Sequence, residues 1–393
     1  MAATQMIDPD LRFIREIKVA GGDTLKNCYQ CATCSTVCNL SNGHQPFPRK
    51  EMIWAGWGLR DQLMRDPDVW LCYQCNDCSS YCPRGARPGD VLASVRSYLY
   101  RYFSFPRFMG RALASPAALP VLLLVPALIL LASMLLFAPR TPDGSFLFMS
   151  SDIVDFNLFL PHSAVDALFV FGNLLIFILA ATGFYRFWRG LKQPEEEIHL
   201  PFLQALGVTV KEIVVHDRFR KCETNRPRMA GHMLLLFGFV GAMITTGMVF
   251  VFIFVPHYLH LLGWDSLESY FELPIELPNP VKILGVASGL ALVVGGGMLI
   301  YRRWARRDDV GANGYADYLF LYMMFFVGLT GMLSWMIRVG DLAMVAYVIY
   351  FVHLVTVFFV LWYMPYSKFA HMIYRTLALV HARQTNRIAE DRV

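Results

Sequence analysis

Six nearly uncharged apolar runs follow one another after residue 112, and they leave the chain few ways to fold. They are Ala117–Phe137, Leu160–Tyr185, Met229–Val255, Ile283–Tyr301, Tyr318–Ile337 and Leu342–Tyr366. Each reaches the ~20 residues that carry an α-helix across a hydrocarbon core of ~30 Å. Inside that core the backbone must satisfy its own N–H and C=O groups, so the runs predict a bundle of transmembrane helices. Buried helices of a water-soluble protein are the alternative, and composition speaks against them. The chain is 56% apolar and 17% charged, whereas soluble domains sit near half and about a quarter. An aromatic content of 14% also excludes a disordered or collagen-like chain.

The first 111 residues read differently. They hold 14 Lys and Arg, 10 Asp and Glu, and eight of the nine cysteines. A soluble domain over 1–111 is therefore expected, followed by a membrane domain over 112–393. The start of the sequence is polar, and no secretory signal is evident. The cysteine domain is thus expected in the cytoplasm, where cysteine clusters bind metal rather than pair as disulfides. Basic residues set the orientation. Nine Lys and Arg lie between Arg186 and Arg228, four follow the fourth run at 302, 303, 306 and 307, and five lie in the tail (Lys368, Arg375, Arg383, Arg387, Arg392). The intervening loops carry Arg140, Lys282 and Arg338 alone. Both termini are expected on the cytoplasmic side of the inner membrane. The 194–228 loop is expected to include an interfacial helix over about Val210–Phe219. Lipid is the expected surrounding, and no nucleic-acid partner is expected.

Cys28, Cys31, Cys34 and Cys38 are spaced C-x2-C-x2-C-x3-C, and Cys72, Cys75, Cys78 and Cys82 repeat that spacing before Pro83. Both sets open on Cys-Tyr-Gln-Cys. In two-cluster ferredoxins the first three cysteines of such a run hold one [4Fe–4S] cluster and the fourth reaches the other. The expected sets are Cys28, Cys31, Cys34 with Cys82, and Cys72, Cys75, Cys78 with Cys38. Structural zinc takes four ligands per ion, usually from two separated pairs, and fits this pattern poorly. Cys222 stands alone and reads as a bystander. The expected scaffold is helical: residues 10–19 started by Asp8-Pro9, residues 49–65 with Trp54 and Trp57 as apolar cover, and a third helix from about Gly89 rich in Tyr and Phe.

Histidines within the spans carry the next signal. His353 and His371 are 18 residues apart, which on one continuous helix is five turns, the same face, and roughly 27 Å of axis. One histidine near each side of the bilayer suits two stacked hemes b. His232 is expected to meet His371 at the cytoplasmic side, and His162 to meet His353 at the outer side, with His257 or His260 as replacements for His162. Lys368, Arg375 and Arg228 are candidate partners for heme propionates. Gly285, Gly289 and Gly295–Gly297 are expected to serve close helix packing. The whole chain thus reads as all-α: a helical two-cluster ferredoxin followed by a six-helix transmembrane cytochrome b bundle.

With both cysteine sets in hand, residues 20–100 resemble the small iron–sulfur subunit of heterodisulfide reductases. Residues 112–380, with the paired histidines, resemble the cytochrome b subunits of those enzymes and of respiratory nitrate reductase. The fusion in this order resembles the C subunits of quinone-interacting membrane-bound oxidoreductases of sulfate-reducing prokaryotes. In the nitrate reductase pattern a second ligand follows the histidine matching His232 by ten residues, and here that place is Ala242. The resemblance implies menaquinone as lipid substrate. It also implies two flavin and iron–sulfur partner subunits and adenylylsulfate reductase as soluble electron partner. No GxGxxG loop and no Cys-Cys-Gly motif occurs, so no flavin or disulfide-reducing machinery is expected on this chain.

Oxidising a quinol releases two protons with its two electrons, so such a site needs a base. Asp166, four residues after His162 on the same helix face, is the candidate. A structural hydrogen bond to a neighbouring helix is the plain alternative for it. Two other functions fit the same residues: the membrane half of a heterodisulfide reductase, and an anchor whose clusters carry electrons while quinone reacts elsewhere.

Overall fold

The computed structural model describes residues 7–151, 153–193, 196–220, 226–263, 274–305, 311 and 314–388. Among them there is no β-sheet, only an isolated bridge between Arg140 and Phe146. Six helices are long and apolar enough to cross a membrane: Pro116–Phe137, His162–Leu191, Pro227–Leu261, Pro280–Ala305, Tyr315–Val339 and Ala343–Tyr366. All six expected spans are present, several longer by a turn or more. They are apolar on the outside as well: Leu124, Leu128, Leu174 and Ile178 are exposed. Such a surface suits lipid rather than water. The third and fourth spans meet through glycine. A Cβ at Gly295 would lie 2.8 Å from the Gly231 carbonyl oxygen, so the expected close packing is there.

The cysteine domain is a set of short helices. Leu11–Ile17 is capped not by Asp8 but by Asp10, whose carboxylate accepts from the Phe13 N–H at 2.8 Å and pairs with Arg60 at 2.9 Å. The expected 49–65 helix is split into Arg49–Gly56 and Arg60–Arg65. The chain turns at Trp57-Gly58 so that the Gly58 carbonyl can accept from the Asp10 N–H at 3.1 Å. Trp57 is exposed; the fully buried tryptophan is Trp70. Pro88–Phe103 forms the third helix.

One core runs from this domain into the membrane end of the chain. Phe13, Met52, Trp70, Leu92 and Leu99 share it with Phe187 and Leu191 of the second span and with Tyr374 and Ala378. The cysteine domain therefore sits at the end of the bundle where the second span finishes.

The sixth span does not continue to His371. The α-helix Ala343–Tyr363 gives way to tight turns at Met364–Tyr366 and Lys368–Ala370, with Ser367 extended between them, before a new helix His371–Gln384. The helix ends two residues before Pro365, which has no backbone N–H to continue it, and the Ser367 hydroxyl accepts from the Phe369 N–H at 3.1 Å to start the next. His353 and His371 therefore do not share one helix face, which only a continuous helix would give them. The surface helix is Phe202–Val215, earlier than expected. Its buried Thr209 and Glu212 both bond Arg383 of the last helix.

Candidate metal centres

The two Cys-Tyr-Gln-Cys repeats share a backbone as well as a sequence. Gln30 and Ala32 have φ of +61° and +69°, and Gln74 and Asn76 have +52° and +67°. Left-handed residues other than glycine are unfavourable, and alternating them turns successive N–H groups into an anion-binding concavity. The Gln30 side-chain N–H donates to Cys28 Sγ at 3.2 Å and the Gln74 backbone N–H to Cys72 Sγ at 3.4 Å. Gln74 is itself held by Arg96 at 2.6 Å.

Cys38 does not side with its own repeat. It lines one cavity with Cys72, Cys75 and Cys78. Burial pushes its thiol up to about 12, with Cys72 and Cys75 adding to the rise. Cys78 is raised in the same way, by burial and then by Cys72, Cys75 and Cys38. Cys34 is pushed up to about 11 by burial and by Cys28, whereas the Thr33 hydroxyl lowers the exposed Cys31. The loop after Cys82 lies on the first set, with the Arg84 guanidinium 4.1 Å over the Tyr29 ring. Four crowded, half-buried thiols favour deprotonation when a cation joins them.

No three of these sulfurs lie within 4.8 Å of one another; among the described residues that closeness is found only for oxygens of Glu51, Asp66 and Asp68. Tetrahedral zinc with Zn–S near 2.3 Å needs sulfurs about 3.8 Å apart. The carboxylate trio was not foreseen, although Asp66-x-Asp68 stands in the sequence. Lys50 Nζ lies 3.0 to 3.3 Å from all three carboxylates, and Arg387 forks onto Asp68 at 2.8 and 2.9 Å. The Lys50 ammonium is the cation at that site, where a metal ion would otherwise sit.

A cavity of about 990 Å³ begins at Cys72, Tyr73 and Gln74 and extends to His216, His232 and His371. That volume is at the upper end of small-molecule sites, ~300–1,000 Å³. The His371 Nδ1 donates to the Lys368 carbonyl at 2.7 Å, and burial pushes the ring down to about 4, so it stands neutral. His232 Nδ1 bonds His216 Nε2 at 2.9 Å. Each of His232 and His371 therefore keeps Nε2 for a ligand. Arg228 and Arg375 also line the cavity, while Lys368 is paired with Asp317.

The outer histidines have separate protein contacts. His353 Nδ1 lies 3.1 Å from the Thr330 hydroxyl, and a Cβ at Gly331 would come within 2.9 Å of its ring. The His162 ring rests on Phe254, with centroids 5.2 Å apart. Among the described contacts none joins His162 to His353. Asp166 accepts from the Tyr258 hydroxyl at 2.9 Å, and His257 packs beside Tyr258. Cys222 lies outside the described residues.

Residues 24–86 match the family model described as "4Fe-4S dicluster domain", and residues 111–392 match the one described as "Citrate utilization protein B". The chain belongs to the citrate utilization protein B family. Its cysteine domain is 38% identical over 89 residues to the C subunit of the H(2):CoB-CoM heterodisulfide,ferredoxin reductase of Methanothermobacter marburgensis, covering 22% of this chain and 48% of that protein. It is 34% identical over 97 residues to a protein of Archaeoglobus profundus named as like the C subunit of heterodisulfide reductase, 24% of this chain and 52% of that one. A third relative, the C subunit of the ferredoxin:CoB-CoM heterodisulfide reductase of Methanosarcina mazei, is 32% identical over 88 residues, covering 22% and 53%. The chain spans about half the length of these curated relatives. No solved structure matches it. An iron–sulfur electron-transfer module homologous to these C subunits is thus joined here to a membrane-spanning helical region.

Proposed function

We propose that the chain is the membrane-bound electron-transfer subunit of a heterodisulfide reductase-type complex, exchanging electrons between a membrane quinone and a cytoplasmic partner. The observation that carries this is the shared cavity: Cys72–Gln74 of a cysteine quartet and the free-Nε2 histidines His232 and His371 border one space. Cys28, Cys31, Cys34 and Cys82 hold one [4Fe–4S] cluster, and Cys72, Cys75, Cys78 and Cys38 the other. His232 and His371 would hold an inner heme b, with Arg228 and Arg375 available to its propionates; His353 and His162 would hold an outer one. Bound there, these groups supply one-electron redox chemistry. Residues 1–111 carry the clusters and 112–393 the hemes, with both termini on the cytoplasmic side of the membrane that the basic loops mark.

Menaquinone in its reduced, quinol form is the lipid substrate, and Asp166 accepts one of the two protons released as the quinol gives up two electrons. The partners are two flavin and iron–sulfur subunits. The names of the relatives favour a heterodisulfide reductase-type complex over one serving adenylylsulfate reductase in sulfate respiration. The native complex, purified with its co-purifying subunits, tests this reading. Heme reduced by added menaquinol in that complex supports it; clusters present without quinol-reducible heme would leave an anchor.

A further inference from the structure

The His216 ring lies on His232, with Nε2 to Nδ1 at 2.9 Å and ring centroids 5.0 Å apart. Its other nitrogen, Nδ1, lies 3.3 Å from the Val214 carbonyl. A carbonyl only accepts, so Nδ1 carries the hydrogen and Nε2 the lone pair. His232 Nδ1 must then be the donor, and the lone pair of His232 is left at Nε2. We propose that His216 is the positioning residue of His232: it fixes the tautomer and rotation of that ring and raises the basicity of the nitrogen that binds heme iron. This rests on the reading of His232 as a heme ligand.

The backbone supports the assignment independently. His216 ends the surface helix with φ +56° and ψ 33°, a left-handed conformation that helix ends usually give to Gly or Asn. Here it directs an imidazole from the surface helix onto the third span. Phe219 packs against both rings, at 5.5 Å from His216 and 5.0 Å from His232. Thr209 and Glu212 fix the surface helix to Arg383 of the helix that begins at His371. Both proposed ligands are therefore braced by the same helix. They are not equivalent, since His371 donates to a backbone carbonyl and His232 to an imidazole.

An N–H bond from the distal nitrogen of a ligating histidine makes it a stronger donor to the metal. A stronger donor favours oxidised iron, so the acceptor at His216 lowers the potential of the inner heme. The test uses the purified complex with His216→Leu, which cannot accept the bond, and His216→Gln, whose amide oxygen can. Heme content is counted by pyridine hemochrome, and midpoint and low-spin EPR g values are measured for each heme. The Leu variant should keep the inner heme with an upward-shifted midpoint and altered g values, or lose that heme alone; the Gln variant should stay near wild type. Unchanged midpoint and g values in the Leu variant overturn the proposal. An equal shift in the Gln variant overturns it too, as does loss of the inner heme in both, which would make His216 a ligand. His232→Ala is the separate control: an inner heme that survives it means the ligand reading itself has failed.

Discussion

Trp70 lies flat against Tyr374, ring centroids 5.1 Å apart and planes 23° from parallel. The contact joins the residue two places before Cys72 to the residue three places after His371. Trp70 also meets Tyr100 and Phe187 edge-on, at 5.4 and 5.7 Å. Truncating a buried tryptophan typically costs ~3–5 kcal/mol. Trp70→Ala should therefore lower the melting temperature of the detergent-solubilised protein and release iron from the second cysteine set. Both the cysteine domain and the last helix should loosen together in hydrogen exchange. Protection lost on one side only would mean that the core is two separate units.

The crossed cysteine sets make a paired prediction. Cys38→Ser should damage the centre built on Cys72, Cys75 and Cys78, with which it shares a cavity. Cys82→Ser should damage the centre built on Cys28, Cys31 and Cys34. Each variant should hold about four irons where the native chain holds about eight. EPR of the reduced proteins separates the two centres, and loss confined to the variant's own repeat refutes the crossing.

His232→Ala and His371→Ala should abolish the same heme, because both histidines line one cavity with Nε2 available. His353→Ala should leave that heme intact. Hemochrome counts and redox titration of the three variants decide it. A single heme per chain would retain the inner site and remove the outer one.

The spans and the cysteines were legible because each rests on a local signal: hydropathy over one run, or spacing within one loop. What was missed is long-range. Arg387 reaches Asp68 across 319 residues of sequence, and no periodicity forecasts that meeting. Trp70 has no flanking pattern that sets it apart from Trp57, yet only Trp70 is enclosed, since the turn at Gly58 swings Trp57 outward. His216 stands in the sequence as a lone histidine; its contact with His232 depends on a left-handed cap that few residues adopt. Pro365 is visible between His353 and His371, and the helix that would join them ends two residues before it, at Tyr363.

The buried charges give a pH dependence with a definite sign. Burial, then Asp66, raises the Glu51 carboxyl well above its ordinary 4.5, and burial with Asp68 raises Asp66. An acid whose pKa is higher in the folded state binds more protons there than when unfolded. Stability from this source is full below about pH 4.5 and declines as pH rises toward the folded pKa. Glu51→Gln keeps the neutral shape and should flatten that decline, raising the melting temperature more at pH 8 than at pH 5. Asp68→Ala should lower the melting temperature at both pH values, because it strands the buried Arg387, at a cost of ~3–5 kcal/mol. Thermal melts across pH check both.

Asp166 offers the sharpest test of the outer site. The Tyr258 hydroxyl donates to its Oδ2 at 2.9 Å, linking the second span to the end of the third. Both spans switch to a π-helical turn nearby, at Ala167–Phe171 and Phe250–Phe254, and such turns recur at functional sites. A carboxylate at this depth is costly without a partner, and Tyr258 is one that leaves the second oxygen able to accept a proton. Asp166→Asn still accepts the tyrosine bond but is no base. It should retain both hemes and slow their reduction by a menaquinol analogue by about 10²-fold or more, the usual contribution of a general base. Tyr258→Phe should slow it less, since the acid remains. Stopped-flow heme reduction reads both variants, with intact heme spectra as the control. Wild-type rates in Asp166→Asn would reduce the Tyr258 bond to a strut between two helices and move the quinol site elsewhere.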